Sequence, residues 1–242
     1  METRAYHTMD KTTWGSGPWQ SEPDKLQWQD EATGLPCLVV RNWRGNLCGY
    51  VGVPSSHPAH GKPYSTWNYD YDGNKLPTTA VVEAINNIEV HGGLTFASGC
   101  GHGDDESTGV CHVPAAGEPD DAHWFGFDCA HSWDLSPGHA ASYPQFCCDD
   151  TEYRTLPYVQ DECRELARQL AALAVLDDVA TAVTASGVLG TLNLQTFSAE
   201  HDAERYRWLK ANASQVLGLS PNSALFLDEF IDKQIEELRR AN

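Results

Sequence analysis

The residues whose types and spacing could carry chemistry sit in one stretch, EVHGGLTFASGCGHGDDESTGVCHVPAAGEPDDAHWFGFDCAHSWDLSP, residues 89–137. Its apolar segments VHGGLTF and HWFGFDCAH each carry a histidine at one end, His91 and His131. Asp128, His131 and Asp134 form D-x-x-H-x-x-D at the end of the second. If the two segments are paired strands, His91 joins Asp128 and His131 at one rim. Two imidazoles with one or two carboxylates suit a divalent metal, zinc or similar, that keeps positions open for water or substrate. They equally suit a metal-free acid–base pair in which an Asp orients a His. The sequence therefore predicts His91, Asp128 and His131 as catalytic, with Asp128, His131 and Asp134 as metal ligands. Gly92 and Gly93 allow a ligand close to the backbone, or form a bulge. Together with Thr95 and Trp124 they make a candidate ligand-binding set. The plainer alternative is that these polar side chains satisfy one another at a turn.

The intervening loop offers a second site. Cys100, His102, Cys111 and His112 could hold structural zinc, with Cys147 and Cys148 as further candidates. Adjacent Cys–His ligands suit a tetrahedral site poorly, and GHGDDESTG also reads as an ordinary surface tip. Cys129 could act as a nucleophile only beside a base. In its apolar run, facing away from Asp128, it reads as a buried inert thiol. The chain has no G-x-S-x-G, G-x-G-x-x-G or P-loop, so serine-hydrolase, dinucleotide and nucleotide-triphosphate readings lack support.

The elements that must position these residues follow from patterning. LPCLVVRN and NLCGYVGVP read as a β-hairpin with strands at 35–41 and 47–53. Residues 1–34 read as an irregular arm anchored by Trp14, Trp19 and Trp28. TTAVVEAINNIEV suits a helix or a strand. Pro157 opens a helix whose Val159, Cys163, Leu166, Leu170 and Leu173 share one face. Strands before 135 and helices after 155 predict an α+β fold, an antiparallel or mixed sheet covered by a helix. The expected organisation is a sheet domain over 1–176, a linker over 177–197 and a helical hairpin over 198–242. The two helices of that hairpin, opened by Ser198 and by Ser220–Pro221, have apolar faces that must dock on the body or on another copy.

With 242 residues and 41% hydrophobic content the chain is globular rather than disordered. A net charge of -18 disfavours direct nucleic-acid binding and adhesion to an anionic membrane. The acidity lies in runs such as DDE at 104–106, EPDD at 118–121 and DDTE at 149–152. METRAYHTMD lacks the apolar core of a signal peptide, and no apolar run is long enough to span a membrane. The expectation is a cytoplasmic protein with mostly reduced thiols.

The strings GPWQSEPDKLQWQDEATGLPC, CGYVGVPSSHPAHG, VHGGLTF, CHVPAAGEPDD and GFDCAH, in this order, resemble a family of tailed-phage and prophage proteins. The likeness covers roughly residues 17–170. DAERYRWLKANA followed by LDEFIDKQIEEL resembles a small module at the ends of many phage proteins. Where the family has Gly before the last Asp of GFDCAHxxD, this chain has Trp133, which is expected to narrow access to Asp134. The resemblance implies a phage protein in the infected host cell and carries no established activity. From the residues, two functions compete. One is a hydrolase, metal-dependent or acid–base, acting on a phosphoester or nucleotide-like substrate. The other is a binding protein that captures a nucleotide signal or masks a host defence protein with its acidic surface, with self-association through the C-terminal helices. The weak point of the hydrolase is the lack of a basic residue near the motifs to meet a phosphate.

Overall fold

A computed structural model describes residues 1–64, 79–100, 105–146 and 150–185. Its frame is a six-stranded sheet: β1 (Arg4–Tyr6), β2 (Lys25–Gln29), β3 (Pro36–Arg41), β4 (Leu47–Val53), β5 (Phe96–Gly99) and β6 (His123–Asp128). The spatial order is β1-β2-β3-β4-β6-β5, and every pairing is antiparallel. The β3–β4 hairpin falls where the sequence places it. Its turn closes because Asn42 Oδ1 accepts from the backbone N–H groups of Arg44 and Asn46, at 2.9 and 3.2 Å. Three α-helices, α1 (Ala80–Asn86), α2 (Pro137–Ser142) and α3 (Leu156–Ala185), and two short 3-10 turns, Pro18–Gln20 and Pro144–Phe146, complete the described residues. Thr79 caps α1 by accepting from the Val82 N–H at 3.3 Å, which decides the helix-or-strand ambiguity there.

Strand alternation sends side chains to two opposite faces. Val39, Val51, Phe125 and Phe127 meet α3, whose Val159, Cys163, Leu166, Leu170 and Leu173 are all buried in the same core. The helix comes close because β4 has Gly49 at the crossing. A Cβ there would run into the Phe127 ring and the Cys163 sulfur. On the other face Leu38, Val40, Ala122 and Trp124 form a smaller cluster with Tyr50, Phe96 and Val110.

Three expectations need correction. Residues 1–34 are not only an arm, since they contribute β1 and β2. The alternation of KLQWQ is hidden because Lys25 and Gln27 are polar yet buried. Lys25 donates to the carbonyls of Glu106, Gly109 and Cys111 at 2.6–2.7 Å, and Gln27 exchanges hydrogen bonds with Val113. VHGGLTF is mostly turn. Gly92 and Gly93 have φ of 67° and 87°, Gly93 N–H closes back on Val90 at 2.9 Å, and the strand starts only at Phe96. Finally, α3 runs on to Ala185, into the stretch read as linker. The rest of that stretch and the hairpin over 198–242 lie outside the described residues.

Candidate metal and acid–base site

The β6 strand ends at Asp128, and the next residues turn sharply. Asp128 Oδ1 accepts from the Ala130 N–H at 3.0 Å, which starts the turn. A second turn follows at once, with Asp134 N–H donating to the His131 carbonyl at 2.9 Å. The chain then runs beside the segment that leads into α3, through a parallel bridge between Asp134 and Glu152. Leu135 N–H donates to the Glu152 carbonyl and Glu152 N–H to the Trp133 carbonyl, at 2.9 and 3.0 Å. This short ladder fixes Asp134 beside Arg154 and the first turn of α3.

Asp134 is the hub. Its side chain is fully buried, and its Oδ1 accepts from Arg154 Nε at 2.9 Å. Its Oδ2 accepts from His91 Nε2 at 2.8 Å, from the His131 backbone N–H at 3.1 Å and from His131 Nδ1 at 3.2 Å. Burial pushes the Asp134 carboxyl up, but the hydrogen bonds from His91, Arg154 and the His131 backbone outweigh it. The group therefore ionises below the ordinary carboxylate range. An ionised carboxylate only accepts, so the proton of the His91–Asp134 bond is on Nε2. The other ring nitrogen of His91, Nδ1, lies 3.0 Å from the Tyr158 hydroxyl, and the His91 N–H donates to Glu162 at 2.7 Å. Tyr158 and Glu162 are four apart on α3, which places both on the side of the helix that flanks its apolar stripe. Burial first, and then the Glu162 charge, raise the Tyr158 phenol.

The two imidazoles meet edge to face, with centroids 5.3 Å apart. The His131 ring lies against the turn at Gly92, where a Cβ would overlap it. Gly92 is thus needed twice, for its left-handed backbone and for the space it leaves. Ligand atoms of His91, His131 and Asp134 all lie within 4.8 Å of one another, the arrangement that could hold a metal ion.

The structure brings together His91, His131 and Asp134 from the predicted set. Asp128 is not among these grouped ligand atoms. Alternation aims Phe127 and Cys129 at the α3 core, so Asp128 faces the other side of the sheet, with its register partner Cys48. Trp124 is fully buried on that same far face, against the His112 ring. Thr95 is exposed, and its N–H donates to the Gly126 carbonyl at 2.8 Å as an extension of the sheet. Cys129 faces the site side but is buried. Desolvation, and after it the Asp134 charge, push its thiol up, so it carries no thiolate for nucleophilic attack.

The loop zinc expectation is corrected. Cys100 and Cys111 are joined to each other in a disulfide, so neither sulfur is left as a thiolate ligand. His112 packs on Trp124 and faces Asp120 at 3.5 Å. His102, Cys147 and Cys148 lie outside the described residues. Sequence reasoning missed Arg154, Tyr158 and Glu162. The i,i+4 spacing of Tyr158 and Glu162 at the start of α3 was a readable hint. Nothing local in the sequence joins Arg154 to Asp134.

No protein-family profile, curated protein or solved structure matches the chain. Among the described residues no helix is long and apolar enough to cross a membrane.

Proposed function

We propose that the chain is a phage-encoded hydrolase of phosphoester bonds, with His91, His131 and Asp134 as ligands of a divalent ion such as zinc. The observation that carries this reading is the convergence of two histidines on one oxygen of a buried carboxylate whose other oxygen is held by Arg154. Two His and one carboxylate match the ligand set of catalytic zinc, which leaves a position for water. Metal-ligating histidines usually hydrogen-bond through the second ring nitrogen, and the Tyr158 hydroxyl occupies that place for His91. An ion here would replace the protons that His91 and His131 now direct at Asp134. The bound metal would lower the pKa of a water toward about 7 and so supply the nucleophile. Water adds to phosphorus, the ester P–O bond breaks, and the alcohol leaves with a proton. Arg154 is the cation near the motifs that the sequence did not reveal, and its pairing with Asp134 and Glu152 reduces the negative charge that an anionic substrate would meet.

A metal-free reading is favoured by one observation, the chain Tyr158–His91–Asp134, in which the carboxylate orients an imidazole that faces a phenol. Metal analysis separates the two. Zinc titration by calorimetry should give near-stoichiometric binding that His91→Ala and His131→Ala each weaken severely. Hydrolysis of bis(p-nitrophenyl) phosphate should be lost with chelator and restored by zinc. Absence of zinc binding overturns the metal reading; activity that survives chelation favours the acid–base one.

A further inference from the structure

We infer that the phosphoester substrate is a nucleotide and that Trp133 is the platform on which its base stacks. This rests on the hydrolytic reading above and names its substrate class. The Trp133 ring lies flat on His131, with centroids 4.9 Å apart and planes within 7°, and its centroid is 6.5 Å from that of His91. It is nevertheless 49% exposed. Trp43, Tyr64 and Tyr143 are the other exposed large hydrophobic residues among those described, and Trp133 alone of the four stacks on a ring of the His91–His131–Asp134 cluster. An indole whose inner face is taken by an imidazole offers its outer face to a second planar ring.

The platform is held in place rather than draped over the surface. The Trp133 carbonyl accepts from Glu152 N–H at 3.0 Å, and the next residue is the buried Asp134. Its position decides what it can read. A base on the outer indole face is separated from the His131 ring by the indole itself, so the base and the phosphate of a single nucleotide would be met by different groups. The surroundings also argue for a base. Glu152 and Glu162 flank Arg154 and His91, so phosphate alone enters an acidic neighbourhood and needs affinity from a neutral contact. Stacking supplies that contact without charge, and a purine offers more ring area than a pyrimidine.

The test uses the full-length protein and calorimetric binding of adenosine 5′-monophosphate, ribose 5-phosphate and inorganic phosphate, with and without zinc. Zinc content is measured in parallel. The expected result is a preference for the adenine nucleotide over ribose 5-phosphate of about 5- to 150-fold, the range that one stacked base contributes. Trp133→Ala should remove that preference and leave ribose 5-phosphate binding as it was, while Trp133→Phe keeps most of it. Equal affinity for the two phosphates in the wild type overturns the inference. So does a Trp133→Ala variant that weakens both alike, or that keeps the adenine preference. Zinc uptake without base preference sinks the nucleotide assignment alone. Absence of zinc uptake sinks the metal reading, and the zinc-free titrations then decide the stacking role by the same criteria.

Discussion

Replacing Asp134 by Asn should unsettle the site more than any other isosteric change. The carboxylate accepts from Arg154 Nε, His91 Nε2, the His131 N–H and His131 Nδ1, with distances from 2.8 to 3.2 Å. An amide keeps one accepting oxygen and sets an NH₂ where the other stood. If the oxygen stays toward the histidines, the NH₂ confronts the Arg154 Nε–H, donor against donor. Hydrogen bonds to charged groups contribute about 1.5–3 kcal/mol each, and removing one partner of a buried ion pair costs about 3–5 kcal/mol. Arg154 is 19% exposed and keeps Glu152 at 2.7 Å, so the orphaned guanidinium is partly compensated. The expected loss is therefore about 2–4 kcal/mol, or a fall in Tm on the order of 10 °C for a domain of this size. The pH dependence has a definite sign. The Asp134 carboxyl is depressed in the folded state, so its stabilisation is complete above the unfolded value of about 3.9 and disappears as pH falls through the folded value. Urea unfolding with chelator present should show a wild-type-to-variant gap that is constant near neutrality and narrows below about pH 4. A variant within about 0.5 kcal/mol of wild type at pH 7, or a gap unchanged in acid, would refute the hub role of Asp134.

Three further outcomes are expected. Gly92→Ala places a Cβ at φ 67° and against the His131 ring, so it should cost about 2–3 kcal/mol and weaken zinc binding, both read by calorimetry. Asp128→Asn keeps an oxygen for the Ala130 N–H, so stability should change by less than about 1 kcal/mol and zinc affinity should not move. Reduction of the Cys100–Cys111 disulfide, which spans a sequence separation of 11, should lower stability by about 2–3 kcal/mol. The zinc stoichiometry should be unchanged by that reduction, and a further equivalent bound only after reduction would point back to the loop cysteines as ligands.

Some of this was legible in the chain alone. The β3–β4 hairpin shows itself through two apolar runs around a turn, and α3 through Val159, Cys163, Leu166, Leu170 and Leu173 at helical spacing, because burial on one face imposes a period that local sequence must keep. β2 stayed hidden because the buried partners of Lys25 are carbonyls at residues 106–111, and no window around KLQWQ contains them. The histidines of the site were equally legible, since a His at the end of an apolar run stands out by type.

Choosing between the two nearby aspartates depended on direction, which composition does not encode. Strand alternation takes Asp128 to the face away from α3, whereas the turn after β6 brings Asp134 back under both imidazoles. The partners of Asp134 come from three separate places, His91 at the Gly92 turn, His131 in the turn after β6 and Arg154 in the segment that leads into α3. The residue types on their own narrowed the chemistry to histidine and carboxylate. Only the tertiary structure decided which carboxylate, and supplied Arg154, because a buried charge selects its partners by distance in space and not along the chain.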